Sequence, residues 1–189
     1  IGVLTSGQLD DGNGKARTSV FKHPHERESG RTSDISYQYA KDDVSKRIFT
    51  FIDLAGHERY LRTTVNGLSS GFPDIALVCI SDKITKMTKE HLALATSMKV
   101  PMVILFTKTD ITPLDKTASV IVHIKKLLKS VSKTLYEIRK DDDISSVIKD
   151  NIVQDTLVPY IATSNVKGTG IDLIKKILAM YPKRQYKLA

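Results

Sequence analysis

Cysteine, tryptophan and long apolar runs are scarce in this sequence, and each scarcity excludes a class of protein. The 189 residues include a single cysteine, Cys79, and no tryptophan. One cysteine cannot form an internal disulfide, so the chain is not a disulfide-stapled secreted scaffold. Because Cys79 lies inside the apolar run of residues 75–80, we predict a buried, inert thiol in a reducing compartment.

No apolar run is long enough to span a bilayer. The longest, residues 100–106, falls far short of the roughly 20 apolar residues that a transmembrane helix needs. The chain also opens without the pattern of a secretory signal. These two observations predict a cytoplasmic protein that does not bind membranes.

Acidic residues are fewer than basic ones. The chain has 21 Asp and Glu against 29 Lys and Arg, which gives a formal net charge of +8. This excess indicates a polyanionic partner, with RNA as the first candidate. A solvated basic surface explains the charge about equally well, because net charge does not locate a patch. The hydrophobic content of 41% is ordinary for a folded protein, and the length fits one domain.

Predicted strands and helices alternate along the chain. Short, apolar, β-rich segments predict strands at residues 48–52, 74–81, 100–106 and 158–162. Apolar residues at helical spacing predict helices at residues 58–68, 89–98, 114–138 and 171–181. The charged residues 140–143 are interpreted as a surface loop or a small insertion. The alternation predicts an α/β fold with a mostly parallel sheet and a ligand site at the carboxyl ends of its strands.

The most informative motif is Asp-Leu-Ala-Gly-His-Glu-Arg-Tyr at residues 53–60, directly after the first predicted strand. Asp53, at the end of a buried strand, can hold hydrated Mg²⁺ through water. Gly56 has no side chain to keep its backbone N–H away from a terminal phosphate. His57 can orient a water for in-line attack, because imidazole both donates and accepts hydrogen bonds. We interpret the motif as part of a guanine-nucleotide switch.

Two further motifs follow later strands. In Thr-Lys-Thr-Asp, residues 107–110, Asp110 can accept both hydrogens of the guanine N1 and N2 edge, and the stem of Lys108 can lie along the base. Residues 164–168, Ser-Asn-Val-Lys-Gly, can close over guanine O6 through backbone N–H groups. Each motif alone is weak, since such pairs and turns are common on surfaces. Their order, each at the end of a predicted strand, strengthens the hypothesis.

The polar, basic segment 17–36 precedes the first predicted strand. Thr32 within it can bind Mg²⁺ with its hydroxyl and the γ-phosphate with its backbone N–H, so that the segment would order only in the triphosphate state. Composition alone favours a flexible loop with a solvated threonine. The histidines at positions 23, 25 and 57 do not predict a zinc site, since no carboxylate or cysteine has suitable spacing.

Taken together, Gly-Arg-Thr, Asp-Leu-Ala-Gly-His-Glu, Thr-Lys-x-Asp and Ser-Asn-Val resemble the G domain of translational GTPases of the elongation factor Tu class. The resemblance covers residues 1–184 and is greatest to the eukaryotic GTP-binding protein 1 and 2 group, on residues 25–33, 51–61 and 87–92. It implies a three-layer, P-loop GTPase-like (Ras-like) α/β fold. It also implies GTP and GDP as ligands, Mg²⁺ as cofactor, and a ribosome- or tRNA-containing RNA complex as partner.

The resemblance implies a role for each motif residue. Thr32 and Asp53 would bind Mg²⁺, and His57 would be the catalytic residue that positions the attacking water. The implied nucleotide contacts are Gly56, Thr107, Lys108, Asp110, Ser164, Asn165 and Val166. Most relatives have an asparagine in place of Thr107, where it braces the phosphate loop, so we expect weaker nucleotide binding.

One motif of the family is missing. The phosphate loop Gly-x-x-x-x-Gly-Lys-[Ser/Thr], whose backbone amides and lysine bind phosphates, occurs nowhere in the sequence. In the family it follows a first strand that lies between the strands of Asp53 and Cys79. We expect those two strands either to pair directly or to leave a gap, and GTP affinity to fall below useful levels.

The resemblance also predicts the domain organisation. Residues 1–189 would be a single G domain truncated at its amino end, without its first strand. The first-switch region would be about residues 17–36 and the second-switch region about residues 53–68. The β-barrel domains that follow in relatives would be absent.

Two functions remain open. The first is a monomeric, translation-factor-type switch that hydrolyses GTP to GDP and phosphate, which Asp53, His57 and Asp110 favour. The second is a nucleotide-free pseudo-GTPase or fragment that acts only as a binding module, which the missing phosphate loop favours.

Overall fold

The computed structural model describes residues 1–184, which form eight α-helices, six β-strands and a short 3-10 helix at Glu58–Tyr60. The strands are β1 (Ser36–Asp42), β2 (Arg47–Asp53), β3 (Ala76–Ile80), β4 (Met102–Phe106), β5 (Thr134–Glu137) and β6 (Leu157–Ala162). The helices are α1 (Gly2–Ser6), α2 (Lys15–Thr18), α3 (Pro24–Ser29), α4 (Leu61–Ser70), α5 (Lys86–Ser97), α6 (Leu114–Lys129), α7 (Asp141–Val153) and α8 (Ile171–Met180). The four strands predicted from the sequence are therefore confirmed, with ends shifted by up to two residues.

The strands form two sheets. Four parallel strands are hydrogen-bonded in the order β3-β4-β6-β5. Strands β1 and β2 form a separate antiparallel pair, with Ser36 opposite Asp53 and Asp42 opposite Arg47. Within residues 1–184 no ladder joins β2 to β3, so the strands of Asp53 and Cys79 are left unpaired with each other. This is the second of the two arrangements expected for them.

The parallel sheet is buried on both faces, which makes the fold three-layered. All five residues of β4 are buried, as expected for an apolar strand between two helical layers. Val103 and Leu105 pack in one core cluster with residues of α1, α7, α8 and β2. Ile104 and Phe106 pack in a second cluster with residues of α5 and α6. The α/β prediction with a mostly parallel sheet is confirmed.

The predicted helix at residues 114–138 is wrong in its second half. Helix α6 ends at Lys129, and Ser132 has a left-handed φ of 57°. The chain then returns through Lys133, whose backbone N–H donates to the Leu128 carbonyl at 3.0 Å, and enters β5. Leu135 is buried under α6 as a strand residue. Leu135 stands at helical spacing from the apolar residues of α6 only by coincidence. It packs in the same core cluster as they do, but from a strand.

The interpretation of residues 140–143 as a loop is also wrong. They begin helix α7, with Lys140 as the N-cap residue. The Asp143 carboxylate accepts the backbone N–H groups of Arg139 at 2.9 Å and Lys140 at 3.0 Å. Acidic residues in a first turn satisfy free N–H groups and favour the positive end of the helix dipole. The run of aspartates is therefore a helix start signal.

Cys79 is exposed, so the prediction of a buried thiol is wrong. It lies on β3, an outer strand of the parallel sheet, where the burial pattern leaves this position open to solvent. Apolar neighbours in the sequence predicted burial, but an outer strand has fewer covering elements. Among residues 1–184, no helix combines the length and apolar character needed to cross a membrane.

Candidate functional site

The predicted site residues follow the carboxyl ends of β2, β4 and β6. Asp53 is the last residue of β2, and Gly56 and His57 follow it. Thr107 follows β4, and Ser164 lies two residues beyond β6. Because β4 and β6 are hydrogen-bonded neighbours, the segments that follow them lie side by side. The site thus has a β2 end and a β4–β6 end.

At the β2 end, Thr32 and Asp53 are in contact. The Thr32 hydroxyl donates to Asp53 Oδ2 at 3.2 Å, across 21 positions of sequence. Burial raises the pKa of the Asp53 carboxyl, and the Thr32 bond and the charges of Arg17 and the amino terminus only partly oppose it. A hydroxyl and a carboxylate are oxygen donors of the kind that Mg²⁺ prefers. A cation beside Asp53 would also relieve the cost of burying its charge, so these residues fit the ion.

His57 and Gly56 lie on the exposed turn after Asp53. His57 is the N-cap of the 3-10 helix, and its Nδ1 accepts the backbone N–H of Arg59 at 3.2 Å. A neutral ring that accepts at Nδ1 carries its proton on Nε2, which leaves Nε2–H as a donor. A β-carbon added at Gly56 would meet no atom of the described chain within 4 Å. The fold itself therefore does not require glycine at this position.

At the β4–β6 end, backbone hydrogen bonds fix the segment after β4. The Thr107 N–H donates to the Ile80 carbonyl at 2.7 Å, and its hydroxyl donates to the same oxygen at 3.3 Å. The Thr109 N–H and hydroxyl both donate to the Thr163 carbonyl, at 3.2 and 3.0 Å. Lys108, between them, has a left-handed φ of 61° and is exposed. The segment is tied to β3 on one side and to the end of β6 on the other.

Asp110 and Ser164 join the two motifs at this end. A hydrogen bond from the Ser164 hydroxyl is the main reason that the pKa of Asp110 lies below its ordinary value. Ser164 is 1% exposed, and its Oγ accepts the Lys167 backbone N–H at 3.0 Å. Asn165 and Val166 are exposed at the tip of this loop. The Ser164 hydroxyl thus links the Asp110 carboxylate to the loop that follows β6.

The chain was compared with known proteins. The family model described as "Elongation factor Tu GTP binding domain" matches residues 3–183. This chain belongs to that family.

Its relatives include two named groups of GTP-binding proteins. GTP-binding protein 1 of Xenopus laevis is 36% identical over 97% of this chain and 32% of its own length. GTP-binding protein 2 of Homo sapiens is 35% identical over 96% of this chain and 34% of its own length. The chain therefore spans about a third of the length of these relatives.

Solved structures of translation factors share the fold. A bacterial selenocysteine-specific elongation factor aligns with a TM-score of 0.65 at 19% identity, covering 84% of this chain and 24% of that one. SelB of Methanococcus maripaludis, in complex with the GTP analogue GppNHp, aligns with a TM-score of 0.60 at 20% identity, over 84% of this chain and 31% of that one. These similarities support the P-loop GTPase-like fold of this elongation factor Tu family domain.

The family domain contains a residue that sequence motifs did not single out. Glu26 is 1% exposed, and its carboxylate accepts the backbone N–H groups of Lys22, His23 and Ser33 at 2.9, 3.0 and 2.6 Å. It also accepts the Ser33 hydroxyl at 2.9 Å. These bonds outweigh burial and lower the pKa of Glu26 to about 2. Glu26 thus joins the start of α3 to the residue after Thr32.

A sequence signal for Glu26 does exist. Pro24 stands at the first position of α3 and Glu26 at the third, where a glutamate often accepts the N-cap backbone N–H. That signal predicts a helix start at Pro24. It does not predict the bonds to Ser33, because those depend on how the chain turns back after Gly30.

Proposed function

We propose that this chain is the GTP-binding part of a translation-factor-type switch that hydrolyses GTP to GDP and phosphate. The observation that carries the proposal is the hydrogen bond between Thr32 and Asp53. Two oxygen donors from distant segments meet here, and the half-buried Asp53 has a raised pKa because its desolvation is only partly compensated. The domain organisation that we propose is one G domain, with switch regions at about residues 17–36 and 53–68.

At the β2 end, we assign Thr32 and Asp53 to the Mg²⁺ site. Bound Mg²⁺ would supply positive charge to the β- and γ-phosphate oxygens. Thr32 would bind through its hydroxyl and Asp53 through water. Gly56 would donate its backbone N–H to the γ-phosphate, and His57 would orient the attacking water from its exposed turn. Nε2–H is the free donor of the neutral His57 ring.

At the β4–β6 end, we assign guanine recognition. The Asp110 carboxylate would accept from N1–H and from the exocyclic amine, and the Ser164 hydroxyl keeps it ionised and in place. The Lys108 stem would lie along the base. The backbone N–H groups of Asn165 and Val166 would reach guanine O6. Thr107 donates to the Ile80 carbonyl and so serves to hold this segment to β3.

A fluorescent-nucleotide titration tests this function. We expect saturable, Mg²⁺-dependent binding of GTP and GDP, and a preference that moves toward xanthine nucleotides in Asp110→Asn. The Asp115→Asn variant removes an exposed carboxylate five residues away and is the matched control. Because the sequence holds no phosphate loop, we expect weak binding. The same titration is therefore run on a chimera that adds the phosphate-loop segment of GTP-binding protein 1 before Ile1.

The two proteins separate the alternatives. Binding by the chimera alone supports the GTPase proposal and attributes the weak affinity to the phosphate contacts. If neither protein binds guanine nucleotides, the chain is a nucleotide-free binding module and the GTPase proposal fails. Unchanged GTP preference in Asp110→Asn would remove that residue from guanine recognition.

We further propose that the partner is an RNA of the ribosome or tRNA type, met by a monomeric cytoplasmic protein. Near its carboxyl end, helix α6 carries a cluster of three exposed lysines, Lys125, Lys126 and Lys129. None of them forms an ion pair with another part of residues 1–184. Unpaired cations clustered on one helix are suited to contact phosphates. Relatives named elongation factors support this class of partner.

Salt dependence tests the RNA partner. Replacing Lys125, Lys126 and Lys129 by glutamine should reduce the slope of log K against log salt by about 2, because roughly 0.7 counterions are released per contacted phosphate of a single strand. The control replaces Lys41, Lys140 and Lys176, which are ion-paired with Asp43, Asp142 and Asp141. It changes net charge equally, so an equal effect in both triple variants would contradict a site on α6.

A further inference from the structure

The segment of residues 7–14 lies against the loop of residues 164–170. The Asp10 backbone N–H donates to the Asn165 carbonyl at 2.9 Å. A β-carbon built at Gly168 would lie 3.4 Å from both methyl carbons of Leu9. One built at Gly12 would lie 4.0 Å from Val166 Cγ2. One hydrogen bond and the close approach of Leu9 and Val166 to the opposite backbone thus join two segments that are more than 150 residues apart in sequence.

The Asp10 side chain sets the shape of its own segment. One carboxylate oxygen accepts the backbone N–H groups of Gly12 and Gly14, at 3.3 and 3.2 Å. The other accepts the N–H of Ala16 at 2.8 Å. Gly12 and Gly14 have left-handed φ values of 88° and 90°, which few other residues adopt without strain. The chain therefore winds around this carboxylate.

The same carboxylate ties the segment to the body of the domain. Ala16 belongs to α2, and a β-carbon at Gly2 of α1 would collide with the Ala16 carbonyl oxygen. The two helices are thus in close backbone contact. Val3 of α1 is in turn part of the core cluster beneath the parallel sheet. A chain of contacts thus connects the core to Asn165: α1 packs in the core, α2 contacts α1, and Asp10 bonds both α2 and Asn165.

We propose that Asp10 is a positioning residue for guanine recognition, which holds the loop of residues 164–170 against the base. This inference rests on the proposed function, because it takes residues 164–166 as the part of the site that reaches guanine O6. Asp10 does not touch the nucleotide in this account. Its carboxylate orders residues 10–16, and its backbone N–H then fixes the Asn165 carbonyl.

Asp11 is a matched control within the same segment. Its carboxylate accepts the backbone N–H groups of Asn13 at 2.9 Å and Lys15 at 3.2 Å. Both bonds stay inside the segment, and no hydrogen bond from Asp11 to residues 164–170 occurs within the described chain. Asp11→Ala should loosen the segment without cutting the tie to the loop. Asp10→Asn keeps one acceptor oxygen and should partly rescue the tie.

Hydrogen exchange tests the tie without any nucleotide. In Asp10→Ala we expect exchange to rise by about tenfold or more at the residue 10 amide, which donates to the Asn165 carbonyl, and at the Lys167 amide, which donates to Ser164 Oγ, with a smaller rise in Asp10→Asn. Exchange over residues 102–106 of β4 should stay unchanged, which shows that the domain remains folded. No rise at these two amides, or an equal rise in Asp11→Ala, would overturn the proposal.

Nucleotide affinity tests the role in recognition, measured on the chain or on the phosphate-loop chimera. Asp10→Ala should weaken GDP and GTP by the same factor, about 5- to 20-fold, and leave the single-turnover hydrolysis rate of bound GTP unchanged. Weaker affinity for GTP but not for GDP, or slower hydrolysis of bound GTP, would contradict a role of Asp10 in positioning the loop at the guanine base. If the wild-type proteins bind no nucleotide while the exchange result holds, the GTPase proposal fails and the guanine role falls with it. The tie between Asp10 and the loop would then stand as structural.

Discussion

Two carboxylates bond adjacent residues, Glu26 at Ser33 and Asp53 at Thr32, and their surroundings differ in kind. Glu26 accepts four hydrogen bonds from Lys22, His23 and Ser33, and its pKa falls to about 2. Asp53 accepts one side-chain hydrogen bond, from Thr32, and burial raises its pKa. Four hydrogen bonds therefore compensate the desolvation of the Glu26 charge, whereas one hydrogen bond compensates that of Asp53 only in part.

The difference separates an acid with a structural role, Glu26, from one for which we propose a functional role, Asp53. A buried carboxylate with a full set of donors stabilises the fold in its charged form. A desolvated carboxylate with too few donors has a raised pKa, and a bound cation would stabilise its charged form. Glu26 therefore holds the chain next to Thr32, whereas the surroundings of Asp53 support the proposal that it binds a metal ion.

The largest effect is expected from Glu26→Gln. A glutamine amide nitrogen would face N–H donors that it cannot accept, and the charge would be lost. A pKa that falls from 4.5 to about 2 on folding corresponds to about 3 kcal/mol of unfolding free energy at neutral pH. Urea denaturation at pH 7 measures this loss. Glu28→Gln, on the exposed side of the same helix, is the control and should change stability by less than about 0.5 kcal/mol.

The stabilising contribution of the Glu26 charge should depend on pH. Folding lowers the pKa of Glu26, so its contribution is complete above about pH 4.5 and is lost as the pH falls toward about 2. The unfolding free energy of the wild type should drop over that window more steeply than that of Glu26→Gln. Parallel curves for the two proteins would mean that Glu26 does not carry the stabilising charge.

The sequence predicted where the candidate site residues lie, but not what shapes their surroundings. The structure places Asp53 at the end of β2, and Asp110 and Ser164 just beyond the ends of β4 and β6, as the apolar strand patterns predicted. Glu26 and Asp10 were missed as determinants because their partners are backbone N–H groups. No pattern of side chains marks such partners, which depend on the turn that the chain takes.

The errors in the fold have a similar origin. Helical spacing placed Leu135 on a helix, and only the left-handed Ser132 and the pairing of β5 with β6 assign it to a strand. Strand β1 was not predicted, because its outward residues Tyr37 and Tyr39 are exposed and its pattern is only half apolar. Local patterns identify elements that are buried on both faces. They fail where burial depends on a distant partner.

Asp53→Asn should have a smaller effect on stability than Glu26→Gln, and of opposite sign. Because desolvation raises the pKa of Asp53 in the folded protein, its charged form is disfavoured there, so removing the charge should stabilise the metal-free protein at pH 7. Mg²⁺ should no longer strengthen nucleotide binding. Asp43→Asn removes an equal charge from an exposed turn and is the control.

Urea denaturation without metal and nucleotide titration with and without Mg²⁺ measure these two effects. Destabilisation of Asp53→Asn as large as that of Glu26→Gln would abolish the distinction between the two acids. Retained Mg²⁺ dependence would remove Asp53 from the metal site while leaving its electrostatics as described.

The smallest expected effects compare two adjacent hydroxyls. Thr32 donates to Asp53 at 3.2 Å, and Ser33 donates to Glu26 at 2.9 Å. Ser33→Ala removes one of four bonds to a charged carboxylate and should cost about 1.5 kcal/mol, the lower end of the range for hydrogen bonds to charged groups. Thr32→Val removes the bond to an acid whose charge burial already disfavours, so it should cost less than about 0.5 kcal/mol. Urea denaturation of both variants at pH 7 gives the comparison. A larger cost for Thr32→Val would mean that Asp53 is charged and compensated within the fold, and the cation would then have no electrostatic deficit to fill.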